Sequence, residues 1–410
     1  MVDIALASGR RVAIAKQSAL GTIAPTNASA KTVRRTSTSI KHTTGSFESQ
    51  EKRTDFQVAD DGDGQNAVGG DIVGELHPGT WQDQFAALLR RDFTAVTTVS
   101  ASSGDGFTIA TNVLTRAAGA AQSFITDGIK AGMIVRLGAF ASANNNSRNC
   151  LVGAVTATTM TLVPVDGVAL TDVGSADEDA TITIPGKRTF IPTTGHTKDV
   201  FTVEDYFADI DKSNVFWDCR VGRLAMDIKP NGFVGLTWGF TGTGANQDVE
   251  AGSAPYFTSV AAALTTNGFK SVRGYLRLNG STIAIATGMQ ITIDLGLVAP
   301  EVVFASVSPD VFYGRAAMVS GQMTVFMTDF SLRTLFKNAT EVDMDLVFEA
   351  AGSAPKDFFS IHLPRVKIKS QSPDDPDAGI QQTVDIKALI RAAATGQEQT
   401  TIMVQDSLAA

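Results

Sequence analysis

The chain has 410 residues, 43% hydrophobic and 19% charged, enough for two or three cored domains. Its 34 Lys and Arg against 42 Asp and Glu leave a formal charge of −8, which argues against gripping nucleic acid through a general basic face. Two cysteines, Cys150 and Cys219, exclude a disulfide-dense scaffold and a four-cysteine metal site, and four dispersed histidines would need distant carboxylates to hold a metal.

From the N-terminus, the short apolar stretch Ile4-Ala5-Leu6-Ala7 precedes two arginines, the wrong order and length for a secretory signal. No apolar run approaches the ~18 residues of a spanning helix, so a soluble protein made in the cytoplasm is expected. A strand is predicted over residues 36–42, then a charge-dense excursion over 43–66, poor in apolar anchors and mobile when free. Val68-Gly69-Gly70 opens a strand over 70–76. A helix follows over 80–90, with Trp81, Phe85, Leu88 and Leu89 on one stripe and Thr80 as its cap.

Residues 95–190 shift to an Ala, Thr, Ser and Gly composition with short β pieces near 133–137 and 158–163. They read as a small, barrel-like β domain inserted at a loop tip and projecting from the body. Beyond it, Leu224/Met226/Ile228 alternate with Arg223/Asp227/Lys229, and Val234/Leu236/Trp238/Phe240 form a second alternating run. Lys229-Pro230-Asn231-Gly232 joins them as a hairpin. Further strands are predicted at 271–278, 282–286, 288–295, 321–328, 358–369 and 380–388, and a second helix at 329–337 with Phe330, Leu332, Leu335 and Phe336 apolar. Residues 341–349 place Val342, Met344, Leu346 and Phe348 on one face and Glu341, Asp343, Asp345 and Glu349 on the other, a half-buried antiparallel strand.

Gly321 of Val319-Ser320-Gly321 lies 251 residues after Gly70 of Val68-Gly69-Gly70, and each motif opens a strand that leads into a helix. A duplicated plan of strand, long loop, strand, helix, strand, strand is expected, with the first copy interrupted by the insertion. The division is 1–94 and 191–255 for the first module, 95–190 for the insertion and 256–410 for the second module.

Chemistry-bearing patterns fail one by one. Asp60-Asp61-Gly62-Asp63-Gly64 resembles the start of a calcium loop, but residue 65 is Gln and the twelfth position is Ile72, which leaves an acidic solvated turn. Gly242-Thr243-Gly244 lacks the third glycine of a dinucleotide fingerprint and reads as a loop. Cys219 beside Trp217 reads as a core thiol. His196 and Asp199 could pair, as a structural contact. Asp343, Asp345 and Glu349 have no opposing acid that would make a glycosidase pair. No catalytic, metal-ligating or cofactor-binding residue is expected.

An ordered series of segments resembles the major tail tube proteins of bacteriophages with long, non-contractile tails (siphovirus type). It comprises Glu48 … Glu51-Lys52-Arg53 … Asp60-Asp61-Gly62 … Val68-Gly-Gly-Asp-Ile-Val-Gly-Glu-Leu76 with the following helix, then Phe201-Thr-Val-Glu-Asp-Tyr-Phe207. Cys219-Arg-Val-Gly-Arg-Leu-Ala-Met-Asp-Ile-Lys-Pro-Asn-Gly232, Gly274-Tyr-Leu-Arg-Leu-Asn-Gly280 and Gly314-Arg-Ala-Ala-Met-Val-Ser-Gly321 complete it. The insertion departs from the pattern. The resemblance implies a mainly β, tail-tube sandwich- or barrel-forming fold with short helices, duplicated, plus an inserted small β domain. It also implies a structural subunit that assembles into stacked rings around a hollow tube, through which DNA passes without specific binding. Two tube folds per chain would make a trimeric ring with pseudo-sixfold symmetry; one fold per chain would need a hexamer.

The partners so implied are further copies of the chain, a tape-measure protein, a tail terminator and a distal tail protein, in the virion tail and without a membrane anchor. In the relatives the loop equivalent to 43–66 reaches the next ring. Glu48, Glu51, Lys52, Arg53, Asp55, Asp60, Asp61 and Asp63 are therefore candidates for ring stacking through mixed charge pairs, and the apolar counterpart 296–318 for burial against a neighbour. Asp71, Glu75 and Asp227 are candidates for a lumen that repels phosphate. The competing expectation is a β-rich adhesin or baseplate component whose insertion binds a surface carbohydrate. The insertion offers only Phe107, Phe124, Phe140 and Phe190 for an aromatic platform, with no Trp or Tyr. A carbohydrate-active β enzyme lacks its catalytic pair.

Overall fold

The computed structural model describes residues 4–96, 98–102, 104–117, 122–283, 285–374 and 379–409. Residue 284 of the strand expected at 282–286, and residues 97, 103 and 118–121 of the insertion, lie outside that set. Strands dominate. The body begins with β1 (Arg10–Lys16), β2 (Arg35–Thr38), β3 (Lys41–Glu48), β4 (Asp61–Glu75) and helix α1 (Gln82–Leu89). Next come β5 (Lys187–Phe190), which falls at the end of the expected 95–190 insertion but pairs with residues 403–406 of the body, then β6 (Phe201–Phe207), β7 (Lys212–Ile228), β8 (Gly235–Gly242), β9 (Gly274–Leu278) and β10 (Ala286–Asp294). The chain closes with β11 (Met318–Phe326), α2 (Ser331–Lys337), β12 (Glu341–Glu349), β13 (Phe358–Asp374), β14 (Gln381–Ala388) and β15 (Met403–Asp406).

The central feature is one antiparallel sheet in the order β3–β4–β8–β7–β10–β11–β14–β13. Period-2 alternation sorts its two faces. Ile72, Trp238, Leu224, Ile293, Val319, Ala388 and Val366 face one another strand by strand in a single row, and all are buried. The strand joint β7–β8 turns at Lys229–Gly232, where Asn231 takes φ +56°, a value its short side chain tolerates. β7 and β13 are both long enough to serve two layers. Their first halves leave the central sheet, β7 to pair with β6, which pairs with β1, and β13 to pair with β12 and β15.

Helix α1 closes the core. Trp81 Nε1 donates to the Glu75 carbonyl at 2.8 Å, and Phe85 meets Trp238 edge-on with centroids 4.8 Å apart. The expected Thr80 cap is not made: Trp81 occupies the capping position with no side-chain bond to the helix amides, and the Thr80 hydroxyl is buried without a partner. Packing of Trp81, Phe85, Leu88 and Leu89 fixes the helix instead. The second helix differs. Of its expected apolar stripe only Leu332 is buried, while Phe330 and Phe336 are exposed. β12 also departs from the half-buried expectation, since Asp345, Val347 and Glu349 on its second face are buried as well.

The cover on that second face is the insertion. Among the described residues, eight strands between Val99 and Thr183 pair with one another in an open sheet around their own core of Phe107, Phe124, Met133, Leu162 and Ile182. This sheet is docked on the body. Ile134, Leu151 and Val165 pack with Val347 and Phe358, Arg136 donates to the Lys356 carbonyl, and Asn149 donates to Glu349 at 2.7 Å.

Pairings recur at constant spacing. Val68 opposes His42, and Val319 opposes Ile293, so that both partners are displaced along the chain by the offset that relates Gly70 to Gly321. The register shift between Arg35 and Ser37 against β4 returns, at the same offset, between Ala286 and Gly288 against β11. The bulge between Val221 and Arg223 in β7 has its counterpart between Ile368 and Ser370 in β13.

Candidate functional site

The face of the central sheet opposite the core is polar. Glu75, Gly235, Asp227, Gln290, Gln322, Asp385 and Ser370 form one cross-strand row. A second row runs Asp71, Gly239, Arg223 and Asp294. Pairing across strands therefore brings Asp71, Glu75 and Asp227 onto one surface, although the whole insertion lies between Glu75 and Asp227 in sequence. Asp71 is exposed, and Glu75 and Asp227 are partly so.

The surface is mixed in charge rather than uniformly acidic. Asp227 pairs with Lys229 at 2.6 Å, Asp294 pairs with Arg315, and Arg223 and Asp71 flank Gly239, where a Cβ would press on Arg223 at 3.1 Å and touch Asp71 at 3.4 Å. Lys367 and Lys387 oppose each other at the far edge. Hydrogen bonds from Ser370 and Gln322 hold the Asp385 carboxyl below its usual range. Between these charges lie short polar side chains: Thr237, Thr292 and Ser320.

Two arms leave the sheet. The excursion expected over 43–66 is largely a paired ribbon: β3 and β4 run together from Lys41 opposite Gly69 to Glu48 opposite Asp61. Asp61, Gly62, Asp63 and Gly64, read as an acidic turn, belong to β4, and only 49–60 form the tip. All eight acidic and basic candidates, Glu48, Glu51, Lys52, Arg53, Asp55, Asp60, Asp61 and Asp63, are exposed along this arm, and Arg53 pairs with Asp55 at 2.9 Å. The arm is not poor in apolar groups. Phe47, Phe56 and Val58 are exposed on it, Phe56 at 97%.

The second arm, 296–317, contains a short ribbon pairing Leu297 with Tyr313 and Val298 with Phe312. It returns onto the base of the first, where the Asn66 amide donates to the Ser306 carbonyl at 2.7 Å and the Val302 amide to Gln65 Oε1 at 3.2 Å. Val303 and Phe304 stand in solvent at its tip, Phe304 fully so. Bare phenylalanines on two adjoining projections, beside a polar sheet face, suit a surface made to meet other copies.

A model of the phage tail tube protein family matches residues 7–388. The chain belongs to that family. It is a structural component of the virion tail that self-associates into a tube, and the family is not one of enzymes. No curated protein matches the sequence. Among the described residues, no helix is long and apolar enough to cross a membrane.

The remaining sequence candidates of this tail tube protein resolve simply. Cys150 and Cys219 are both free and buried; burial pushes the Cys150 thiol up to about 12 and the Cys219 thiol higher still, so neither is a thiolate near neutral pH. Asp199, which could have paired with His196, pairs instead with Lys16 at 2.9 Å. Sequence reading missed a buried polar cluster beneath the insertion. His362 Nδ1 lies 2.6 Å from Asp345 Oδ1, and Arg277 Nη1 donates to Asp345 Oδ2 at 3.0 Å. Asp345 is one of four acids that alternate along β12, and nothing local distinguishes it from Glu341 and Asp343 on the same face.

Proposed function

We propose that three copies of this chain close into a ring with pseudo-sixfold symmetry, and that such rings stack into the hollow tube through which DNA leaves the capsid. The observation that carries this reading is the recurrence of ladders and bulges at constant offsets, Val68 with Val319 and Val221 with Ile368. It supports two tube modules per chain: 1–94 with 191–255, and 256–410. The same sheet carries both, joined by β7 and β10. A curved sheet closed on itself leaves no unpaired edge, which removes the aggregation hazard of open strands.

The polar sheet face is the lumen in this reading, with Asp71, Glu75 and Asp227 on it. Paired charges and short hydroxyl side chains offer passing phosphates little to grip. The first arm, with Glu48 through Asp63, stacks one ring on the next, and the apolar tip of the second arm is buried there. The insertion, 95–190, docks away from the polar rows and decorates the exterior. An exterior so decorated fits a tube without a contractile sheath, the siphovirus type. A tape-measure protein, a terminator and a distal tail protein complete the assembly by family resemblance.

Electron microscopy of the purified protein at rising concentration tests the reading. Hollow tubes with three lobes per ring are expected. Six equivalent lobes would leave the tube and remove the duplication; finite oligomers that bind glycan would favour an adhesin.

A further inference from the structure

The internal repeat contains one junction that occurs only once. Within the chain, β7 meets β10 with Arg223 opposite Asp294, Leu224 opposite Ile293 and Ala225 opposite Thr292. The strand equivalent to β7 is β13, matched bulge to bulge with Arg223 at Ser370. The strand equivalent to β10 is β2 with β3, matched through Ile293 at His42. The distal part of β13 pairs with β14 on one side, and on the other side its ladder with β12 stops at Lys367, opposite Glu341. Among the described residues, the outer edge of β3 at 41–43 likewise has no strand beside it. Two open edges thus stand at opposite ends of the sheet, where the repeat predicts a ladder.

We propose that these two edges pair between neighbouring copies, with Ser370 opposite Thr43, Gln371 opposite His42 and Ser372 opposite Lys41. The assignment rests on the tube reading above and names its lateral contact. They cannot meet within one chain: seven strand spacings separate them, roughly 34 Å along the sheet. The contact is head-to-tail, so repetition closes a ring or winds a filament.

Chemistry at the two junctions differs in the sense this requires. The apolar pair Leu224 and Ile293, permanently buried inside one chain, is replaced by Gln371 and His42. A polar pair is compatible with water before assembly and with a hydrogen bond after it. His42 Nε2 is buried without a partner in the single chain, and a side-chain amide opposite would supply one. On the lumen side the equivalent residues Ser370, Ser372, Lys41 and Thr43 continue the polar face.

Cysteine pairs in the full-length protein test the register. Directly opposed residues of an antiparallel ladder lie about 4.5–5.5 Å apart at Cα, within disulfide reach, whereas diagonal neighbours at about 7–8 Å lie outside it. Ser370→Cys with Thr43→Cys, and Ser372→Cys with Lys41→Cys, should give covalent multimers on mild oxidation of assembled protein. Ser372→Cys with Thr43→Cys should give less than about a tenth as much. Amide hydrogen exchange at 41–43 and 370–372 should slow on assembly of the unmodified protein. Tubes that form without linkage at the matched pairs, or that link equally at the slipped pair, would overturn the register and leave the tube. Absence of any assembly by the unmodified protein would overturn the tube reading and this pairing together.

Discussion

The His362 ring and the Asp345 carboxylate meet at 2.6 Å on adjacent strands of the second half of the chain, directly beneath the docked insertion. Arg277 completes the carboxylate's coordination from a third strand. Burial alone would raise the Asp345 pKa, but the adjacent His362 and Arg277 outweigh it and hold the carboxyl below its usual range. A depressed carboxylate contributes stability that is present above its unfolded pKa and lost as pH falls through the folded value. Asp345→Asn should therefore destabilise the protein by about 2 kcal/mol at pH 7, because it removes the buried one of the two carboxylates that pair with Arg277 and leaves only the more exposed Asp343, at 3.2 Å. The acid limb of stability below about pH 4 should flatten in the variant. Urea unfolding across pH measures both.

Asp406 behaves oppositely. Burial pushes its carboxyl up to about 6, against amide hydrogen bonds from Leu408 and Gly79. A raised carboxyl favours the folded state at low pH, and that contribution is lost as pH rises through 6. Comparison of wild type with Asp406→Asn should move in favour of wild type by on the order of 2 kcal/mol between pH 7 and pH 4.5.

Gly132 carries φ +85°, and a Cβ there would lie 2.1 Å from the His362 ring. Gly132→Ala should cost more than about 2 kcal/mol and loosen the insertion, detected as faster limited proteolysis near its junctions. Gly104→Ala, at φ +80° but with no atom within 4 Å, should cost about 1 kcal/mol and leave the cleavage pattern unchanged.

Phe56 and Phe304 make no core contact, so Phe56→Ser with Phe304→Ser should change thermal stability by less than about 0.5 kcal/mol. In the proposed assembly the same pair should sharply reduce polymer yield by sedimentation. By contrast, Trp238→Ala should cost about 3–5 kcal/mol, because it empties the space between Trp81 and Phe85.

Asp71→Lys with Glu75→Lys on the proposed lumen face should leave folding and tube yield intact while slowing DNA delivery in an infectivity assay. Unchanged delivery would remove these two residues from the lumen.

Period-2 alternation by itself determined most of the strands of the body, because a sheet with one apolar face imposes that period on any sequence that forms it. The Pro-Asn-Gly turn and the α1 stripe were legible for the same local reasons. Burial of Asp345, Val347 and Glu349 was not, since it depends on a second sheet, encoded far upstream between Val99 and Thr183, docking over them. Nor did local pattern distinguish α1 from α2. Both are short apolar helices that follow a strand, and only tertiary placement buries Phe85 and leaves Phe336 exposed. The constant spacing between the two halves was readable from a few glycines and valines. That Asp71, Glu75 and Asp227 share one surface was decided by register, which is set where strands from distant parts of the chain bury a common apolar row.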